Sequence, residues 1–116
     1  MTRGPWPDAG VLETWARAAL ARWTAPVGAA ICLITISENA SFRVTTPDGP
    51  WAVLRLYRPG RRIRREIESE LAWMTVLAAA GAVVVPGHFH GRDGAAVQSL
   101  PGPDGPRHWV LFHHLA

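Results

Sequence analysis

Trp51-Ala52-Val53-Leu54-Arg55-Leu56-Tyr57, followed after Pro59-Gly60 by Glu66-Ile67-Glu68-Ser69-Glu70-Leu71-Ala72-Trp73, is the stretch whose reading decides the fold. The first segment alternates, so it reads as a strand with Trp51, Val53, Arg55 and Tyr57 on one face. That face looks inward, which makes Arg55 a charge in an apolar setting. The second segment reads as a helix. At about 100° per residue, Ile63, Ile67, Leu71, Met74 and Leu77 cluster within about a third of the circle. Glu70 falls inside that arc, Glu66 sits at its edge, and Glu68 points away. An ionised carboxylate in apolar surroundings is costly unless paired. A meeting of Arg55 with Glu70 would relieve both placements. The plainer alternatives are a Glu70 at the rim reaching water and an Arg55 on a solvated face.

Working outward, residues 8–23 read as a helix with Asp8 as N-cap and Leu12, Trp15, Ala16, Ala19 and Trp23 at helical spacing. Residues 30–37 are β-branched and apolar, hence a strand. Glu38-Asn39-Ala40 interrupts it, and residues 41–46 resume with Phe42 and Val44 on one face and Arg43 and Thr45 on the other. Asp48-Gly49 is a hairpin signal leading into the strand at 51–57. The helix over 62–80 ends at Gly81, a favourable C-cap residue. Beyond it, strands are expected at 88–90, 95–100 and 108–113, with turns at Arg92-Asp93-Gly94 and over 101–106. The order is helix, three strands, helix, then two or three strands. Hairpin turns make the sheet antiparallel and the class α+β.

At 116 residues the chain is one domain at most. Hydrophobic residues make up 48%, which excludes general disorder. Twelve basic against nine acidic side chains give +3, a mild preference for anionic partners. Cys32 is the sole cysteine, so no internal disulfide forms and a reducing compartment fits. The first residues carry no apolar signal core. The most apolar stretch, 27–36, is shorter than the ~20 residues a bilayer span needs. A cytoplasmic protein without membrane contact is the expectation.

Arg58, Arg61, Arg62, Arg64 and Arg65 form the most basic run. Pairing of Arg62 with Glu66 and of Arg64 with Glu68 at i,i+4 would make it a solvated face. Basic residues opening a helix still oppose its dipole. The five histidines, with His88/His90 and His113/His114 as pairs, lack the cysteine cluster or helical spacing of a metal site, so no metal is expected. Of the six tryptophans, Trp15, Trp23 and Trp73 fall where helices pack, and Trp51 and Trp109 where strands pack. Core packing explains them better than a base-stacking platform. No RNA-recognition motif is present, so nucleic acid is not an expected partner.

Three segments in order, Ser37-Glu38-Asn39-Ala40-Ser41-Phe42-Arg43-Val44, Val53-Leu54-Arg55-Leu56-Tyr57-Arg58-Pro59-Gly60 and Glu66 through Trp73, resemble the small lobe of the aminoglycoside phosphotransferase family. That family includes choline-kinase-like and type-II homoserine-kinase-like enzymes. The resemblance covers roughly residues 31–116. It implies a kinase-like small lobe: an antiparallel five-stranded sheet with one packed helix, plus an N-terminal helix. The expected division is an N-terminal helical segment, 1–28, and the lobe proper, 29–116.

Carried over by position, the resemblance implies that Glu38, Asn39, Ala40 and Ser41 form the turn over the nucleotide phosphates, through backbone N–H groups. Arg55 would meet the α- and β-phosphates, where many kinases have lysine; arginine keeps the charge and can bind bidentately. Glu70 would orient Arg55. Ile36, Val44 and Val53 would roof the adenine. Phe112 would guard the back of the pocket, while the His113 carbonyl and Leu115 N–H would meet the adenine edge. ATP is the implied cofactor, with Mg²⁺ only where a second lobe is present. The family's catalytic aspartate and its metal-binding asparagine and aspartate belong to that lobe, so no catalytic residue is expected in this chain. Phosphoryl transfer depends on such parts. As written, the chain should cover a nucleotide without turning it over, and its lower edge should present apolar surface. In a full-length parent the acceptor would be a small hydroxylated metabolite or antibiotic. The alternative is a stand-alone, non-catalytic module acting with a partner chain, as a homo-oligomer or with a separate second lobe.

Overall fold

The structure is a computed structural model that describes residues 6–115 except 61, 83 and 104. Arg61, named above in the basic run, lies outside the described residues. The elements are α1 (Ala9–Leu20), β1 (Ala30–Ile36), β2 (Ala40–Thr46), β3 (Gly49–Leu56), α2 (Arg64–Ala79), β4 (Gln98–Leu100) and β5 (Arg107–His113). The five strands form one antiparallel sheet in the order β1-β2-β3-β5-β4. The class is therefore α+β, as expected.

Asp8 caps α1, its carboxylate accepting from the Val11 N–H at 3.0 Å. Leu12, Ala16, Ala19 and Leu20 are buried, the spacing that keeps side chains on one helical face. They pack with Trp23 on Phe42, Val44, Leu54, Leu56, Trp109 and Leu111. The other face of the sheet has its own smaller core: Tyr57, Val97, Val110 and Phe112 with Ile67 and Leu71 of α2. The sheet thus lies between two helices, but α2 buries only those two side chains.

α2 starts without a side-chain acceptor at its N-cap, Ile63; Glu66 supplies half a capping box by accepting from the Ile63 N–H at 3.1 Å. Its end is a Schellman motif. Gly81, at φ +72°, donates to Ala78 O, and the Ala82 N–H donates to Leu77 O.

Four packing expectations change. Residues 88–90 form only an isolated bridge, His88 with Phe112. The Trp23 indole N–H donates to the Phe89 carbonyl at 3.3 Å, so that carbonyl serves the α1 core rather than a longer ladder. The strand expected over 95–100 shortens to Gln98–Leu100, because Asp93 holds the Ala95 N–H and the Gln98 amide in a turn. Trp73 is 59% exposed rather than packed, since it lies well off the Ile67–Leu71 stripe. Finally, the fully buried face of β3 carries Ala52, Leu54 and Leu56, whereas Val53 and Arg55 are half-buried. The face that looked inward is the one that α2 leaves partly open.

No helix among the described residues is long and apolar enough to cross a membrane.

Candidate nucleotide-facing site

Sheet register sets Arg55 between Ser41 on β2 and Val110 on β5, all pointing to the partly open face. The Arg55 guanidinium lies over the Phe112 ring, 4.8 Å from its centroid, and 5.8 Å from that of Tyr57. Such stacking holds a cation without neutralising it. Beside it opens a cleft of about 290 Å³ lined by Val53, Arg55, Pro86, Phe112, His113, His114 and Leu115. Five of the residues expected at a nucleotide, Val53, Arg55, Phe112, His113 and Leu115, are thus brought together. Pro86 and His114 join them. Nothing local in the sequence marks Pro86; the fold carries it there. A larger hollow of about 400 Å³ lies across Pro86, against α2, and holds none of the expected residues.

Hydrogen bonding at the end of β5 leaves specific backbone groups without a partner among the described residues. The His113 N–H donates to Gly87 O at 2.8 Å and the His114 N–H to Trp51 O at 3.3 Å. With Trp51 and His114 bonded, antiparallel alternation turns the His113 carbonyl away from β3. The Leu115 N–H has no hydrogen-bond partner among the described residues. Aromatic stacking fixes this segment: Phe89 lies 4.0 Å from the His113 ring and 4.8 Å from Trp51. Next to it, burial first, then His90 and His113, lower the pKa of His88.

Other expected residues lie elsewhere. Val44 is fully buried in the α1-side core, and it pairs with Ala52, one residue from Val53. A one-residue offset in a strand is a change of face. Val44 therefore cannot share a roof with Val53; Arg43 is the residue beside Val53. Ile36 pairs with Ala40, whose side chain is also in the α1-side core, so Ile36 too is on the wrong face. The turn that joins β1 to β2 is Ser37–Asn39; Ala40 and Ser41, expected in it, already pair with β3 as the start of β2. Within the turn the Ser37 N–H donates to Asn39 O at 2.9 Å, and the Asn39 side-chain carbonyl accepts from the Arg58 N–H at 3.3 Å. Ser41 shares a face with Arg55, whereas the buried Ala40 leaves only its backbone available.

The Arg55–Glu70 pair does not form. Glu70 Oε2 instead accepts from Arg62 Nη2 at 3.0 Å, and its side chain is 38% exposed, at the rim. Arg62 precedes α2 and folds back along it, which places a cation nearer to Glu70 than β3 can. Tyr57 lies within 6.0 Å of both the Arg55 and the Arg62 guanidinium carbons. Burial raises the pKa of its phenol, and the Arg55 cation opposes that shift. Its buried hydroxyl makes no well-aligned hydrogen bond. The expected helix pairs are present, Arg62–Glu66 at 3.9 Å and Arg64–Glu68 at 3.0 Å. Among the described residues, no three His, Cys, Asp or Glu side chains gather as a metal site.

Residues 33–116 match the model of a family described as phosphotransferase enzymes, APH. The chain belongs to this phosphotransferase family. Among solved structures, a microcompartment-associated aminopropanol kinase is 34% identical, with a TM-score of 0.79 over 88% of this chain and 31% of its own. An amicoumacin kinase, solved with AMP-PNP, Ca²⁺ and Ami, is 20% identical, with a TM-score of 0.67 over 90% of this chain and 30% of its own. The latter likeness is one of fold. This chain spans about a third of the length of either structure. No match is found among the curated proteins. Within the family fold, the sheet and α2 described above correspond to a kinase-like small lobe.

Proposed function

We propose that this chain is the nucleotide-covering lobe of an ATP-dependent phosphotransferase that acts on a hydroxyl group of a small molecule. The observation that carries the reading is the cleft itself. It combines an apolar wall from Val53, an aromatic back from Phe112, a cation at Arg55, and the two backbone groups at His113 and Leu115. An adenine needs an apolar slot with one donor and one acceptor at its edge. Its phosphates need a fixed cation nearby. In this reading the His113 carbonyl and Leu115 N–H hold the base. Arg55, which pairs with no carboxylate in the cleft, takes the phosphate charge, and the turn at residues 38–41 covers it.

Magnesium, when bound, would neutralise phosphate charge; its ligands and the general base would come from a second lobe, in the same polypeptide or supplied by a partner chain. Apolar surface on the α2 and cleft side favours such a covering body: Trp73, Val76, Val84 and Leu115 are all exposed. The acceptor would be a small hydroxylated metabolite or antibiotic, and the 34% identical aminopropanol kinase makes a small amino alcohol a reasonable first candidate. The setting would be cytoplasmic, where Cys32 stays a thiol.

Calorimetric titration with ATP and with adenosine tests this. The chain should bind ATP, and Arg55→Gln should weaken ATP about 10- to 100-fold, the loss of a charge-assisted contact, while adenosine changes little. Equal ATP affinity in the two proteins would sink the phosphate role of Arg55.

A further inference from the structure

We propose that the segment ahead of the family match braces the phosphate turn, with Trp6 holding Arg58 and Arg58 holding the turn at Ser37–Asn39. The inference rests on the nucleotide reading above and names what positions its turn. Trp6 lies outside the matched residues 33–116. It packs against the α1-side core, and its ring lies 4.5 Å from the Arg58 guanidinium carbon. That guanidinium donates to Ser37 O at 3.4 Å, and the Arg58 backbone N–H donates to the Asn39 side-chain carbonyl at 3.3 Å. One residue thus grips both ends of the turn, by its side chain at Ser37 and by its main chain at Asn39.

The turn needs such a grip. Ser37-Glu38-Asn39-Ala40-Ser41 contains no glycine. A turn that presents backbone N–H groups to phosphate oxygens must hold them in a fixed direction. Inside the turn, the Ser37 N–H donates to Asn39 O, a short-range bond. Arg58 adds long-range ties at both ends, and Trp6 restricts where its guanidinium can go. Because the Arg58 cation is engaged by Ser37 O and the indole face, Arg58 is a positioning residue and not the phosphate ligand.

The test compares the unsubstituted chain with Trp6→Ala and Trp6→Phe in two readouts. The first is amide hydrogen exchange over residues 37–41 without ligand. The second is the ratio of ATP to adenosine affinity. Trp6→Ala should speed exchange in the turn and weaken ATP about 3- to 10-fold, the scale of one cation–π contact, with adenosine unchanged. Trp6→Phe should restore both. Arg58→Lys keeps the charge without the planar stack and should shift both readouts the same way, even if Trp6→Ala folds poorly. Unchanged turn exchange in Trp6→Ala and Arg58→Lys overturns the brace alone. Equal weakening of ATP and adenosine overturns its phosphate role and leaves Trp6 as packing. An unsubstituted chain that binds no ATP overturns the nucleotide reading, and this inference with it.

Discussion

The two faces of the sheet are made by alternate residues of the same strands, yet they are finished in different ways. On one, Leu12, Ala16 and Ala19 of α1, with Trp23 just beyond it, lie over Phe42, Leu54, Leu56 and Leu111, and nearly everything is buried. On the other, α2 covers the β5 side and stops. Val53 and Arg55 stay half-buried, and on β1 and β2 the paired Cys32 and Arg43 are exposed. The closed face is mostly apolar, with Gln98 and Arg107 buried at its β4–β5 end and the Arg107 guanidinium stacked on Trp15 of α1. The open face mixes a cation, aromatic rings and backbone groups without a partner among the described residues. The difference teaches that burial and chemistry have been separated by side-chain parity: one residue along the strand changes a side chain from core to cleft.

The strongest way to break this comparison is to truncate neighbours on opposite faces. Leu54→Ala should cost about 2–5 kcal/mol, read by urea unfolding, because Leu54 is fully buried. Val53→Ala should cost about 1 kcal/mol or less, while weakening adenosine binding. Similar stability losses at the two positions would mean that the faces are not distinct.

A smaller effect should appear with pH. The pKa of His108 is lowered by burial first and by the Arg64 cation second, with Glu68 opposing, and its Nδ1 is 2.8 Å from the Ser99 hydroxyl. His88 is shifted the same way. A lowered histidine pKa means that the fold favours the neutral ring. This stability is full above the ordinary value of 6.5 and is lost as pH falls from there through the lowered folded value. Thermal unfolding from pH 7.5 down to 5 should show the decline, and His108→Gln should flatten it. A profile that keeps its slope in His108→Gln would remove this residue from the linkage.

The smallest effect is expected at the rim. Arg62→Gln removes the 3.0 Å pair with Glu70, whose partners are 34% and 38% exposed, so stability should move by about 1 kcal/mol or less. The informative readout is ATP affinity. If Arg62 competes with Arg55 for Glu70, Arg62→Gln should change it; an unchanged affinity leaves Arg62–Glu70 as surface pairing.

Much of this architecture is legible in the sequence. The alternation of 51–57 marks the strand and the parity of Arg55. The spacing of Ile67 and Leu71 marks the α2 stripe, Gly81 its end, and Asp8 the start of α1. Where sequence and structure part, a long-range choice is involved. An apolar Val44 suits a cleft roof as well as a core, and only its register with Ala52 turns it to α1. The cost of burying Arg55 and Glu70 argues for pairing them, yet Glu70 sits at the rim and Arg62 reaches it. Tryptophan is large and apolar, which argues for a packed Trp73, but α2 has no second body to pack it against among the described residues.

By itself, then, the chain's order of residues determined most of its elements, the apolar stripe of α1, its α+β class and its phosphotransferase family. These follow from periodicity and from capping and turn chemistry, which act between residues a few positions apart. Only the tertiary structure decided which face of the sheet stays open, which cation Glu70 takes, and that Pro86 and His114 complete the cleft. Those outcomes depend on distances between segments far apart in sequence. Arg55 rests on Phe112, 57 positions later in the chain (112 − 55), because β3 and β5 are neighbours in the sheet, and no local pattern encodes that adjacency.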